Sequence, residues 1–395
     1  MSEPGRAPFP WSVPGFAALL VAANLRPAIA SVGPVLTQIR SSLHLSGVAI
    51  SVLSSLPVVC FGAGAAAGPL LARRVGLGRS IGWFAALLAV GLAVRVGPDA
   101  ATLFVGTVIG ATAIAANNVL LPALVKAEYA RHTGLMMGFY TLALTGSAAV
   151  GAGLSVPIAH AVGGGWRTAL GIWAGSAAIA AIAWAIARRG PHRRLVIAAP
   201  TTPMSALLHD RVAWTVTAYF GVQSLSFYAV LSWLPTLFED HGYSVVKAGA
   251  LMSISAAVQT PIALTLPPLL VKVRQQAWLV LASAALTAAG LLLILTTPTS
   301  LPYVWVIILG LGQGMAFPLA LMFIVERSRT PTAAQQLSAM SQGFGYLIAA
   351  TGPLLVGVLH SFTGGWQLPL LLLLALLVPQ AVFGAGSARP RFAAG

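Results

Sequence analysis

"HAVGGGWR" at His160–Arg167 returns as "HSFTGGWQ" at His360–Gln367, 200 residues further along the chain. The same offset pairs Gly110 with Gly310, Ser55 with Ser255 and Leu25 with Leu225. Several identities at one spacing mark two parallel internal repeats. Each copy of the motif falls between long apolar runs. The chain has 395 residues, 58% of them hydrophobic and 7% charged. A soluble domain carries roughly 25% charged residues, so this composition cannot cover a water-facing surface. An integral membrane protein is expected. The net charge of +15 would point to nucleic acid in a soluble protein. Here the cations sit in short loops between apolar runs, which makes them topology signals and argues against nucleic-acid binding.

A spanning helix needs roughly 20 mostly apolar residues. Twelve candidates cover 12–39, 46–72, 79–97, 100–125, 133–160 and 166–187, then 212–238, 244–271, 276–297, 301–325, 334–360 and 366–386. The polar stretch from Ala187 to Asp210 divides them. The expected domains are a six-helix bundle over 1–187, a cytoplasmic linker over 188–210 and a second six-helix bundle over 211–395. The fold class is all-α, with twelve transmembrane helices in two pseudo-symmetric bundles. With the N-terminus inside, 17 Lys and Arg residues fall on the cytoplasmic side. Only Arg40, Arg167 and Lys247 fall outside. That asymmetry puts both termini in the cytoplasm. The N-terminal "MSEPGRAPFPW" is short and polar, and the apolar run after it reads as the first span and not as a signal-peptide core. The single cysteine, Cys60, allows no intrachain disulfide.

Two cations remain inside spans, Arg26 and Arg95. Arg26 lies in "AANLRPAIASVGP", Ala22–Pro34, near the midpoint of the first span. At 1.5 Å rise per residue it is roughly 20 Å from either end, too far to snorkel. Arg95 is near the end of its span and is expected to reach the interface. The seven acids, Glu3, Asp99, Glu128, Asp210, Glu239, Asp240 and Glu326, all fall in loops or at helix ends. Arg26 therefore has no carboxylate at its depth. It reads either as an anion site, with its guanidinium fork facing a small anionic substrate, or as a structural arginine held by carbonyls and amides. Pro27 removes a helix hydrogen bond beside it and is expected to kink the span.

Other polar and aromatic residues fall at similar depth. They are Asn24 on span 1, Asn117 and Asn118 on span 4, Gln223, Ser226, Phe227 and Tyr228 on span 7, Gln259 on span 8, Gln313 and Phe317 on span 10, and Gln342 and Tyr346 on span 11. Gln223 and Phe227 share a helix face, as do Gln342 and Tyr346. Amides also bond between membrane helices for purely structural reasons. Clustering on spans 1, 4, 7 and 10 favours a shared substrate site. The small residues of Phe61–Pro69 and Thr145–Pro157 are expected to let helices approach closely. His160 and His360, at helix ends, are expected to pack. No nucleotide loop, zinc-like histidine pair or Ser-His-Asp arrangement is present. No enzyme activity, cofactor or metal is expected.

"NLRPAIASVGPVL" in span 1, "NNVLLPALVK" in span 4, "QSLSFYAVLSWLP" in span 7 and "LSAMSQGFGYLIAATGPLLVG" in span 11 carry a family resemblance. The chain resembles the major facilitator superfamily and, within it, the cyanate and 2-nitroimidazole transporter family. The resemblance covers essentially the whole chain. One departure is "GPLLARRVGLGR", Gly68–Arg79, which lacks the aspartate usual in the loop after span 2. The resemblance implies alternating access about a central site, in a monomer within the bacterial cytoplasmic membrane. It implies a small-molecule substrate, either an anion such as cyanate or a neutral heteroaromatic such as a nitroimidazole. The first makes the protein an anion transporter centred on Arg26; the second makes it a drug exporter.

Overall fold

A computed structural model describes residues 12–65, 67–189, 204–273 and 275–394. Glu3, Arg6, the polar N-terminal stretch, Arg193, Arg194, Arg274 and most of the 188–210 linker lie outside the described residues, as does the side chain of Ser55. The chain is all-α, in two compact units. The first comprises residues 1–201 with 330–339, the second 202–329 with 340–395.

In the first unit the helices are α1 (Val13–Ala23), α2 (Pro27–Ala30), α3 (Leu36–Ser42), α4 (Gly47–Gly64), α5 (Ala67–Val75), α6 (Leu77–Arg95), α7 (Ala100–Glu128), α8 (Thr133–Ala161) and α9 (Trp166–Ala187). In the second they are α10 (Met204–Leu208), α11 (Arg211–Asp240), α12 (Val245–Lys272), α13 (Ala277–Thr296), α14 (Pro302–Glu326) and α16 (Gln367–Ser387), while α15 (Pro331–Thr363) belongs to the first unit up to Ala339 and to the second from Met340. Short polar residues start several of them, accepting from backbone N–H groups that have no helical partner. Ser46 caps α4 by accepting from Ala49 N at 3.2 Å, and Ser244 caps α12, its repeat counterpart, by accepting from Lys247 N at 3.3 Å. Asp99 and Thr102 form a capping box on α7.

Ten helical stretches are long and apolar enough to cross a membrane, or eleven if a bent pair counts as one span. The bent pair is the second expected span, which turns by 50° between Gly62 and Ala67. The remaining expected segment is α11. It has 30 residues, and Thr215, Thr217, Gln223, Ser224, Ser226 and Ser232 dilute its apolar content.

The first expected span is not one kinked helix. It is divided into α1, α2, a 3-10 turn at Gly33–Val35, and α3. The cause is local. The Asn24 side-chain amide donates to Leu20 O at 2.9 Å, taking the carbonyl that its own backbone N–H would use in a helix. Asn24 N and Leu25 N instead donate to Val21 O and Ala22 O, each at 3.1 Å. Pro27 then offers no N–H to Ala23 O. Prolines inside α7, α8, α11, α12, α14 and α15 do not end those helices. Pro27 does so together with the competing amide of Asn24.

Both copies of the opening motif seat a tryptophan. Trp166 packs with Val35, Ile39, Leu53, Leu103 and Leu170 in the first unit. Trp366 packs with Phe238, Leu251, Leu309 and Leu370 in the second. A left-handed glycine turns the chain ahead of each, at Gly163 and Gly364. Those glycines are 201 residues apart, not 200, because α15 runs on to Thr363 while α8 stops at Ala161. His360 packs as expected, stacked on Trp366 with ring centroids 4.1 Å apart. Its Nε2 is 3.7 Å from Asp240 Oδ2, which also accepts from Trp366 Nε1 at 2.8 Å. His160 is exposed, which corrects the expectation that it packs: the first copy has no acid and indole arranged to hold it.

Each unit carries a polar clasp at the end of its fourth long segment. In the first, Arg188 Nη1 and Nη2 donate to Glu128 Oε1 and Oε2 at 2.7 and 2.9 Å. The guanidinium also lies over the Trp184 ring, 4.6 Å from its centroid. In the second, Gln276 donates to Glu326 Oε2 at 2.7 Å, and Arg327 donates to Gln276 Oε1 and to Ser387 O. Charge-assisted forks of this kind are the strong ones among surface and half-buried pairs. Glu128→Gln is expected to lower the stability of the purified protein by about 1–2 kcal/mol, read as a fall in thermal midpoint. Arg188→Gln should add little further loss in the double variant, since the two act through one contact.

Candidate functional site

In the first unit the break in span 1 sets the geometry. Asn24 closes α1, and Arg26 stands two residues on, at the start of α2. Its backbone carbonyl accepts from Ile29 N and Ala30 N, both at 3.0 Å. Its side chain is half-buried. The residue therefore sits where the regular helical ladder is interrupted. Gly151 of α8 holds the break in place: a Cβ there would lie 2.6 Å from Pro27 Cα. Asn24 itself is partly used up, because its amide nitrogen closes the last turn of α1.

Asn117 and Asn118 lie in the middle of α7, and both are buried. Neither side-chain atom of Asn117 has a hydrogen-bond partner among the described residues. An unpartnered buried amide is costly, on the order of 1–3 kcal/mol. Most buried hydroxyls of this protein avoid that cost by bonding to their own helix. Thr107, Thr141, Thr217, Thr287 and Ser328 each donate to the carbonyl four residues back.

In the second unit, α11 brings several of the expected residues onto one stretch. Gln223 Nε2 donates to Phe220 O at 3.2 Å and to Ser224 Oγ at 2.6 Å. Ser226 is buried, and its hydroxyl has no partner among the described residues. Phe227 and Tyr228 are half-buried and meet edge to face at 5.4 Å. On α14, both side-chain atoms of the buried Gln313 lack partners among the described residues. Gln342 and Tyr346, on α15, are buried.

Phe220 joins three of these helices, and nothing polar in the sequence pointed to it. Its ring is 6.3 Å from Phe317 on α14 and 5.3 Å from Tyr346 on α15, edge-on to the latter. The approach depends on Gly345, where a Cβ would meet the Phe220 ring at 2.6 Å. The legible signal was the glycine pair in "QGFGYL", which spares room for an aromatic neighbour. Gln259 of α12 donates to Ser255 O at 3.3 Å, and Gly314 of α14 packs against its side chain.

Arg95 is a correction. It does not reach the interface. It is 2% exposed and donates through Nη1 to the carbonyl of Ala28, in α2. The acids do lie at helix ends: Asp99 and Asp210 are N-caps, and Glu128, Glu239, Asp240 and Glu326 are terminal or next to terminal in their helices. Among the described residues no group of three or more His, Cys, Asp or Glu side chains could hold a metal ion.

A duplicated all-helical chain that carries amides, hydroxyls and guanidinium groups along helices of membrane-spanning length is a multi-pass membrane protein. The Major Facilitator Superfamily matches over residues 17–353, and the chain belongs to that family. It is 37% identical over 383 residues to the uncharacterized transporter YycB of Bacillus subtilis, covering 97% of this chain and 94% of the relative. It is 32% identical to the 2-nitroimidazole transporter of Escherichia coli, covering 94% of each chain. It is 31% identical to the cyanate transport protein CynX of Escherichia coli, covering 88% of this chain and 90% of that one. The fold is also that of the proton:xylose symporter XylE, at a TM-score of 0.74 and 13% identity, covering 94% of each chain.

Proposed function

We propose that the protein transports a small anion by alternating access, with Arg26 as the charge that binds it. The observation that carries this reading is the broken first span, which sets a half-buried guanidinium at an interruption of the helical ladder. Discontinuous helices are where transporters of this kind place substrate contacts. Asn24, Asn117 and Asn118 in the first unit, and Gln223, Ser226, Gln313, Gln342 and Tyr346 in the second, supply hydrogen bonds in this reading. Phe227, Tyr228 and Phe317 supply walls. A relative named for cyanate transport supports the substrate class. The substrate neutralises the guanidinium and so favours the conformers that enclose it, the differential affinity any ligand-driven change requires. In this reading the protein works as a monomer, in the lipid of the bacterial cytoplasmic membrane, with both termini inside.

A second reading is export of a small neutral heteroaromatic. The half-buried rings Phe227, Tyr228 and Phe317 favour it, since aromatic faces stack a planar ligand. A relative is named for 2-nitroimidazole. Uptake and counterflow in liposomes, with cyanate, formate, nitrate and 2-nitroimidazole, with and without a pH gradient, separates the two. Saturable counterflow of anions alone supports the first reading. Counterflow of 2-nitroimidazole alone overturns it in favour of the second.

Asn117 gives a sharper check. Asn117→Leu removes two unpartnered polar atoms from a buried position, so the thermal midpoint should stay the same or rise. Substrate KM should nevertheless increase about tenfold if the amide contacts substrate, roughly the value of one neutral hydrogen bond. An unchanged KM would remove Asn117 from the site.

A further inference from the structure

Arg95 has a free fork. Its Nη1 donates to Ala28 O, but Nε and Nη2 are both buried and have no partner among the described residues. These two nitrogens form the side-on edge of the guanidinium. That edge presents two parallel N–H groups, the geometry that takes a planar anion in two hydrogen bonds. Among the described residues no carboxylate answers it. The nearest acid in sequence, Asp99, is committed to the Thr102 backbone N–H and hydroxyl, at 2.8 and 2.9 Å. The backbone that carries the side chain is held in place. A Cβ on Gly106 of α7 would strike the Arg95 backbone, so α6 and α7 are already at closest approach there.

A second idle donor stands three residues along the chain from the carbonyl that Arg95 meets. Ser31 is 0% exposed, and its hydroxyl has no partner among the described residues. It sits three residues after Ala28, and residues three apart share a helix face. Ser31 is the C-cap of α2, and a serine side chain there can reach back toward the carbonyl three residues earlier, which is the Ala28 O that receives Arg95. The usual solution for a buried serine, donation to the carbonyl four residues back, is not made here. Pro27 O accepts instead from Ser31 backbone N at 3.0 Å. A buried cation held by one carbonyl, with two N–H groups and a nearby hydroxyl unpartnered among the described residues, is expensive to keep in that state.

We propose that Arg95 and Ser31 form a second anion-binding position within the first unit, taking a small planar monoanion of the carboxylate or nitrate type through the Nε–Nη2 edge. Its existence does not depend on Arg26 binding substrate. The chemistry is the same as that proposed there, and the second position offers an anion a further stop in the same unit.

The test is the thermal midpoint of full-length detergent-purified protein, titrated with formate against gluconate at constant ionic strength. A ligand that binds the folded state raises the midpoint as its concentration passes Kd. In an Arg26→Gln background, formate should still stabilise saturably. Adding Arg95→Gln should abolish that response, and adding Arg95→Lys should raise the half-saturating concentration about tenfold, since lysine keeps charge but not the fork. If the Arg95→Gln double variant fails to fold, Ser31→Ala in the same background serves, with an expected several-fold rise in half-saturation. No formate response in Arg26→Gln protein, or a response that survives Arg95→Gln or, where that fails to fold, Ser31→Ala unchanged, overturns the second position. Comparison of wild type with Arg26→Gln alone tests the Arg26 assignment separately.

Discussion

Arg26→Gln is expected to lower anion counterflow in liposomes by about 100-fold or more, with little change in thermal midpoint. The magnitude follows from the contact removed. A hydrogen bond to a charged group contributes about 1.5–3 kcal/mol, and a bidentate one sits at the upper end, so the lost fork corresponds to about a hundredfold in affinity. Arg26→Lys should fall between, about tenfold down, because it keeps the charge but not the paired donors. Arg26→Ala should behave as Arg26→Gln does. The small stability cost follows from the position: Arg26 is half-buried at an interruption between two helices, not locked inside a continuous helix. Counterflow of every anion at wild-type rates in both neutral variants would end the anion reading of this residue.

The second large effect is structural and separates glycines that look alike in sequence. Gly106→Ala should cost well over 3 kcal/mol and leave little folded protein, because the new Cβ would lie 2.5 Å from Gly91 O and strike the backbone of Arg95. Backbone on both sides cannot yield as a side chain can, which puts this beyond ordinary overpacking. Gly110→Ala, one helical turn away, should be neutral or stabilising. Its Cβ would meet only Leu88 and Leu92 side chains, at 3.7 Å, and alanine gains up to about 1 kcal/mol in helix propensity. Gly310→Ala should again fail, with its Cβ 2.5 Å from Ser255 O. Gly110 and Gly310 are aligned by the repeat, so opposite outcomes at the pair would show that the two units use the shared glycine differently. Yields and midpoints of the three purified variants decide it; equal tolerance at all three would sink the argument.

Much of the architecture was legible because membranes constrain sequence strongly. Apolar length locates spans, since backbone polar groups in lipid must be satisfied within helices. The positions of the acids were legible for the same reason, and all described ones lie at helix ends. The offset of 200 residues located two buried tryptophans at equivalent turns. What escaped was governed by competition between local bonds. "NLRP" showed a proline, but a proline alone usually bends a spanning helix without dividing it. The division depends on the Asn24 amide taking Leu20 O, a choice of rotamer that no spacing rule foretells. Arg95 escaped for a related reason. Its distance from the span end suggested a reach toward water, whereas the carbonyl of Ala28 is offered by a segment 67 residues away in sequence.

The amino-acid sequence by itself determined that this is a duplicated helical membrane protein with a cation deep in its first span, because hydrophobic length, charge placement and internal repetition are properties of the chain alone. Only the tertiary structure decided which polar groups are already satisfied and which stand idle. Asn24 and Gln223 have partners, whereas Asn117, Gln313 and the Arg95 fork lack them among the described residues. Hydrogen bonding depends on distances of a few tenths of an ångström, set by rotamer within a helix for Asn24 and Gln223 and, for Arg95 and Ala28, by packing between segments far apart in sequence.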